Sequence, residues 1–459
     1  MNTSERGLLA VIAALLVGMA LIPLGDRVLH VGLVIVAAAV VLFAATASSR
    51  GFAFLASQRL GLLVPVVLLP AVFLFVADLT QLTLGGSSVE AVIIVVATAA
   101  VAVSVVLFAF SRGGRWVWIT FLLSFAAIFT VVIGSTTGGS FGMDVEQFQY
   151  GAADALLRGD NPYALTFVDL YTPEVSELIY GDGVSVDGIL LIGFPYPPLS
   201  LLLILPFKML WDFRMAQALA ILAAALLMSR ISMSREAQLA AMVFLLVSRP
   251  ATMVKFGWTD SFVVLVIVVI VYLAVRGSRL VSATTGLLFA MKQYSVFLLV
   301  PSLLLIPRPW DRKAVLRHLG TAAVVFLVIT MPFVLWDFGA FWRSVVELQF
   351  VQPFRPDSIA IPALFPELWE SLPKVVTLGV PFLAVALVSV LVAVRSPTGG
   401  QGFALGTAAV LIVAFLISKQ AFGNYYFVVI GALCAASAAG ARGELKPDTA
   451  GVPAETGAQ

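Results

Sequence analysis

The chain has 459 residues, 61% of them hydrophobic and 11% charged, with a mean hydropathy of +1.06; soluble domains carry about a quarter charged residues, so a water-soluble globule is excluded. Its 27 basic and 25 acidic residues nearly cancel, to a net charge of +2, which excludes a disordered chain, because disorder needs low hydrophobicity with high net charge, and leaves no basic stripe for nucleic acid. A single cysteine, Cys434, forbids an internal disulfide, and two histidines, His30 and His318, are too few for a histidine metal centre.

A helix crossing a roughly 30 Å hydrocarbon core needs about 20 apolar residues. About fourteen apolar runs are predicted to form an all-α, polytopic transmembrane helical bundle. They lie near 7–24, 31–48, 60–77, 89–110, 115–134, 213–229, 236–250, 261–275, 280–291, 294–306, 318–336, 373–394, 402–418 and 425–441. The pair between 280 and 306 is short. No cleavable signal is expected, since the first run lacks a small-residue cleavage site and more spans follow.

Cytoplasmic loops carry the Lys/Arg excess. With the N-terminus inside, Arg50 and Arg59, Arg112 and Arg115, Arg230 and Arg235, Arg276 and Arg279, and the cluster from Arg308 to Arg317 all fall inside. This holds only if Leu199–Leu210 does not cross. Twelve apolar-rich residues behind Tyr196-Pro197-Pro198 read as an interfacial or re-entrant segment. Most acids then lie outside and most bases inside.

Between the fifth and sixth spans an acidic outer stretch runs from about 135 to 194, with nine carboxylates against the single base Arg158. Its first part, 143–158, has Val145, Phe148, Ala152, Ala155 and Leu156 at helical spacing, predicting an amphipathic helix on the membrane surface that Gly159-Asp160-Asn161-Pro162 terminates. A second outer loop covers 337–372, with Phe341-Trp342-Arg343 as an interfacial anchor and Arg355 near Asp357. Shorter outer points hold Lys255, Trp258 and Asp260, then Lys292-Gln293-Tyr294, then Lys419 with Asn424 and Tyr425. Ionised groups at membrane depth are costly and face a cavity or a partner. Lys292 is expected at the tip of a short hairpin dipping from the outside.

An acidic loop beside cations suits a phosphate and a hydroxyl. Arg and Lys neutralise a phosphate, and a carboxylate takes the proton of an attacking hydroxyl. Phosphate leaves without a general acid when its charge is stabilised, so one carboxylate and a cationic clamp suffice.

Met143-Asp144-Val145-Glu146-Gln147-Phe148 soon after a span, then Gly159-Asp160-Asn161-Pro162-Tyr163, Tyr196-Pro197-Pro198-Leu199 and Lys292-Gln293-Tyr294 resemble, in order and sidedness, the integral-membrane GT-C glycosyltransferases. Within these the chain looks closest to the bacterial, glycosyltransferase family 87-like group of polyprenyl-phosphate-mannose-dependent mannosyltransferases. The resemblance covers roughly 111–441 and implies a lipid-linked sugar phosphate donor, a glycolipid or glycan hydroxyl acceptor, inversion at the anomeric carbon, and Asp144 as the base. Together with the polar groups at the outer points, it gives expected substrate contacts at Glu146, Gln147, Tyr196, Asp260, Lys292, Gln293, Tyr294, Arg355, Lys419 and Asn424. It implies a cell-membrane enzyme with its site outside the cytoplasm, in contact with the lipid bilayer and not with nucleic acid. Some relatives direct an acid such as Asp260 to a divalent metal, but phosphate-donor members generally manage without, so no cofactor is expected. One departure is that the family's acidic loop follows its first span; residues 1–110 are four helices added in front of the core, and 442–459 a disordered cytoplasmic tail.

Plainer readings stand beside these. Asp144 at a helix start gains about 0.3–1 kcal/mol from the helix dipole without any chemistry. Asp154 and Asp160 read as surface and turn residues, Lys292 can snorkel to the interface, Arg355 can brace its loop on Asp357, and Lys419, Asn424 and Tyr425 can belong to an aromatic belt. Arg249 and Lys255 are open in the same way. A transporter or lipid flippase for an envelope precursor is the rival function, but no internal repeat is present and the polar groups gather toward one face. A non-catalytic subunit of an envelope assembly is a third.

Overall fold

A computed structural model describes residues 1–22, 26–47, 60–82, 87–110, 114–138 and 141–440. Arg50, Arg59, Arg112 and the segment 442–459 lie outside these described residues. The chain is a multi-pass α-helical membrane protein. Among the described residues eight helices are long and apolar enough to cross a membrane: α1 (Thr3–Ala20), α2 (Arg27–Thr46), α4 (Ser88–Phe110), α5 (Arg115–Thr136), α9 (Arg214–Ile231), α15 (Arg312–Trp336), α19 (Lys374–Arg395) and α21 (Gly423–Gly440). Other apolar runs form α3 (Leu60–Gln81), α10 (Arg235–Val247), α12 (Asp260–Val275) and α20 (Gly400–Leu416). Local chemistry fixes several starts: Asn2 and Glu5 form a reciprocal capping box on α1, and Ser234 and Asp311 cap α10 and α15.

The two short runs form α13 (Val281–Phe289) and, beyond Lys292, a 3₁₀ segment (Gln293–Leu298) continued by α14 (Leu299–Ser302) and a last turn at Leu303–Leu305. The end of the second run away from Lys292 is tied to the arginine-rich end of the bundle. Gly399 donates to the Leu304 carbonyl at 2.7 Å and Arg308 to the Ser396 carbonyl at 3.0 Å. The hairpin therefore rises from that end and carries Lys292 up to the start of α12. This corrects the expected hairpin dipping from the opposite side.

Arginines gather at that same end because helix C-termini leave carbonyls unpaired. Arg276 donates to the Arg230 carbonyl at 2.9 Å, Arg235 to the Phe108 carbonyl at 2.8 Å, and Arg6 to the Ala47 carbonyl at 2.7 Å. Helices α20 and α21 are buried almost all round, as expected of apolar helices without a polar stripe. The first helices are not peripheral to them: α1 packs on α21 and α2, and α2 on α20. Inside a membrane close packing stands in for the hydrophobic drive, and small residues permit it. At Gly431 a β-carbon would meet the Val264 side chain at 2.6 Å, so α21 and α12 approach to a distance that only glycine allows.

At the other end, α6 (Asp144–Arg158), α7 (Pro173–Tyr180) and a three-stranded sheet of two-residue strands, β1 (Phe167–Val168), β2 (Ser185–Val186) and β3 (Ile189–Leu190) in the order β1-β3-β2, precede α8 (Pro198–Leu210). The 13 residues of α8 reach about 20 Å, short of a membrane core. One end of α8 meets the hairpin tip, where Leu199 donates to the Ala290 carbonyl at 3.2 Å; the other meets α6, where Lys208 pairs with Asp154 at 3.2 Å. It stays at this end of the bundle. Helix α11 (Pro250–Lys255) links α10 to α12. The second long connection holds α16 (Phe338–Trp342), a π turn at Arg343–Glu347, α17 (Leu348–Val351), a 3₁₀ turn at Ile361–Leu364 and α18 (Pro366–Ser371).

Candidate active site

Helix α6 begins at Asp144 behind an extended Met143 and ends at Gly159, whose φ of 86° is the left-handed stop that the Gly-Asp-Asn-Pro string predicts. Its sealed face carries Glu146, Phe148, Gln149, Ala152, Ala153 and Ala155, which leaves the Asp144 carboxylate at the helix start to line a cavity of about 410 Å³. The Tyr180 hydroxyl, at the end of α7, donates to Asp144 Oδ2 at 2.5 Å, and the Val145 amide lies 2.7 Å from Oδ1. Burial pushes the Asp144 carboxyl above the usual aspartate range, against the opposing pull of Tyr180, the Val145 amide and the Arg355 charge. The neighbouring phenols respond in kind. Burial and then the Asp144 charge raise Tyr171 to about 12 and push Tyr180 well up.

The facing wall is organised by a second carboxylate. Asp260, at the start of α12, is fully buried, and the hairpin tip and α21 give it three donors: Tyr294 Oη at 2.6 Å to Oδ1, with Lys292 Nζ at 2.7 Å and Asn424 Nδ2 at 3.0 Å to Oδ2. Asp260 itself does not line the cavity; Lys292, Tyr294 and Asn424 do. The Lys292 ammonium lies 4.9 Å from the ring centre of Tyr196 and 5.8 Å from those of Tyr294 and Tyr425, an aromatic collar that holds a cation partly out of water. Gln293, beside it, donates to the Pro195 carbonyl at 2.6 Å and so fixes the Tyr196 turn against the hairpin.

At the mouth, Arg355 forks onto Asp357 at 2.8 and 2.7 Å and lies 4.9 Å over the Phe422 ring. Burial alone would raise Asp357, but the two guanidinium bonds and the charge of Arg355 hold it below the ordinary aspartate value. Gln352 and Gln420 complete this side, joined amide to amide at 3.1 Å.

The cavity thus brings together Asp144, Tyr196, Lys292, Gln293, Tyr294, Arg355 and Asn424 from five segments of the chain. It does not bring in the other expected contacts. Glu146 turns away, buried on Arg214 at 2.9 Å. Gln147 does not reach the cavity, and its buried Oε1 finds no partner among the described residues. Lys419 donates to the carbonyls of Phe350 and Gln352 and braces the mouth from behind. Arg249 is turned to Asp78 of α3 at 2.9 Å. Among the described residues no three His, Cys, Asp or Glu side chains converge. Sequence reasoning missed Tyr171, Tyr180 and Arg214. Only a tyrosine closing a short amphipathic helix before Gly181, and an arginine two residues after Asp212, mark them.

No family model matches the chain, and no curated protein matches it. Among solved structures it is similar in fold to the crystal structure of ArnT from Cupriavidus metallidurans bound to undecaprenyl phosphate. The identity is 16% and the TM-score 0.46, over 71% of this chain and 60% of the length of that one.

Proposed function

We propose that the protein is a GT-C-type glycosyltransferase that moves a sugar, mannose by the resemblance of its motifs, from a polyprenyl-phosphate donor to a glycolipid or glycan hydroxyl at the outer face of the cell membrane. The observation that carries this reading is one cavity lined at once by a half-buried carboxylate with a raised pKa, Asp144, and by two cations on other walls, Lys292 and Arg355. A raised carboxyl pKa makes a stronger base nearer neutral pH. The acceptor hydroxyl gives its proton to Asp144 as its oxygen bonds to the anomeric carbon. The bond from that carbon to the phosphate oxygen breaks on the opposite side, and its electron pair leaves with the polyprenyl phosphate. The product is therefore inverted. Lys292, held by Asp260, and Arg355 stabilise the charge that gathers on the departing phosphate. Tyr196, Tyr294 and the amides of Gln293 and Asn424 offer the ring faces and hydrogen bonds that sugar hydroxyls need.

The test is transfer of radiolabelled mannose from a synthetic polyprenyl-phosphate donor to an envelope glycolipid extract by purified protein in lipid nanodiscs, with movement of the labelled donor across proteoliposomes measured in parallel. Transfer with inversion is expected. Donor movement with no glycosylated product overturns the reading in favour of a flippase.

A further inference from the structure

Behind the cavity wall, two layers of buried polar groups join α6, α9 and the turn that follows α11. In the first, Arg214 at the start of α9 donates Nη2 to Glu146 of α6 at 2.9 Å, Nη1 to Asp212 at 2.9 Å, and Nε to the carbonyl of Lys255, the last residue of α11, at 3.1 Å. In the second, one helical step further on, Gln217 Nε2 donates to Gln149 Oε1 and to the Gly257 carbonyl, both at 3.0 Å, while Gln149 Nε2 donates to that same carbonyl. Glu146 and Gln149 are three residues apart on α6, and Arg214 and Gln217 three apart on α9, so each pair shares one helix face. Gly257 takes a φ of +62°, and a β-carbon there would lie 2.5 Å from the Phe213 ring. The turn can therefore seat on α9 only with glycine.

Glu146, Gln149, Arg214 and Gln217 are each at most 5% exposed, and none lines the cavity. Each of the three guanidinium nitrogens of Arg214 donates to a protein oxygen, so the side chain is built to hold protein and not a ligand. What the ladder joins is specific. Asp144 stands two residues before Glu146; Trp258, a cavity residue, follows Gly257 directly; and Asp260, which holds Lys292, comes two residues later. Every side-chain donor in the ladder has an acceptor, and only Gln217 Oε1 among its four side chains is left without a partner among the described residues; leaving the donors unpaired away from water is costly, which makes the arrangement stiff.

We propose that Arg214 and Gln217 are positioning residues: α9 serves as a spine that locks the helix bearing Asp144 and the turn leading to Asp260 into one piece, and so fixes the gap between the base and the phosphate-holding wall. The catalytic consequence rests on the function proposed above; the mechanical one does not. A misplacement of about 1 Å between reacting groups costs on the order of a hundredfold in rate.

The test uses the full chain in nanodiscs with Arg214→Lys, which keeps the charge facing Glu146 and loses the fork, and with Gln217→Leu, close in size and without donors. Amide hydrogen exchange read by mass spectrometry is expected to quicken roughly tenfold or more, and together, in the peptides spanning 141–150 and 255–260, with α20 and α21 unchanged. Quickening confined to α9, or uniform through the bundle, overturns the proposal. In the transfer assay kcat is expected to fall about tenfold or more with the donor KM within about twofold. The acid limb of the pH profile is expected to move to lower pH as water reaches Asp144, which Tyr180, Tyr171, Tyr196 and Arg355 otherwise surround. A fall in kcat with an unmoved acid limb means only fewer active molecules and counts against positioning. If the wild-type protein transfers no sugar, the functional reading fails while the exchange result still decides the spine.

Discussion

The two walls of the cavity use a carboxylate in opposite ways. On the α6 wall Asp144 opens to the cavity with a phenol as its one side-chain donor. On the α12 wall Asp260 is sealed, surrounded by an ammonium, a phenol and an amide, and what faces the cavity is the cation it holds. Three side-chain donors silence a carboxylate and make it scaffolding, whereas one phenol and one backbone amide leave Asp144 oxygen lone pairs for a substrate. The chemical role of each acid thus follows from how many donors its neighbours supply, not from its residue type.

Removing the open carboxylate is the most severe way to break the contrast. Asp144→Asn keeps the shape and one acceptor oxygen yet cannot take a proton at neutral pH. Transfer is expected to drop by roughly 10²- to 10⁴-fold, the usual contribution of a general base, with expression and thermal unfolding unchanged. Turnover near that of the wild type would show that the base lies elsewhere.

Breaking the sealed wall should look different, because it damages stability first. Asp260→Asn leaves Lys292 without its counter-charge, and Lys292→Met leaves Asp260 charged and buried; either break is expected to cost about 3–5 kcal/mol. The double variant Asp260→Asn/Lys292→Met removes both charges and should recover most of the thermal stability while donor use stays weak. If the double variant also regained the wild-type donor KM, Lys292 would be an anchor of the bundle and not a phosphate contact.

Tyr180→Phe sharpens the comparison by altering the number of donors on the open acid. Tyr180 donates to the ionised carboxylate and favours it, so its loss raises the Asp144 pKa further. The acid limb of kcat/KM should therefore move to higher pH, opposite to the shift expected for the α9 variants. A limb that stays in place would mean that Asp144 is not the group titrating in catalysis.

Much of this molecule is legible in its sequence, and the boundary has a physical cause. Among the described residues the predicted apolar runs form helix, α in all but the run beyond Lys292, which is mostly 3₁₀, because a low-dielectric solvent forces every backbone group to bond within its own segment. Asp144 and Lys292 stand out as charges next to apolar runs. Glu146 cannot be told from Asp144 by pattern, since two residues turn a helix by about 200° and only the tertiary fold says which side is sealed. Its partner Arg214 lies 68 residues away, as does Gln217 from Gln149, and no local rule links such pairs. The direction of the Lys292 hairpin was fixed by the arginines flanking both its ends, a constraint that a reading of the lysine alone overlooks.

The smallest expected effect lies at the mouth, where a second lysine tests the rule that partners set the role. Lys419 has carbonyl oxygens as its partners, and burial lowers its pKa to about 8 from 10.5. An unfolded chain keeps that proton up to about pH 10.5, whereas the folded one releases it near 8, so this group adds stability as pH rises through that window and opposes folding below it. Lys419→Met removes the titration and also two hydrogen bonds. Its melting temperature is expected to differ from that of the wild type by a few degrees at most, with the wild type gaining relative to the variant between pH 8 and 10 and the donor KM changing less than in Lys292→Met. A Lys419 variant as weak in donor use as the Lys292 variant would move the phosphate from the collared lysine to the mouth, and with it the distinction between the two walls.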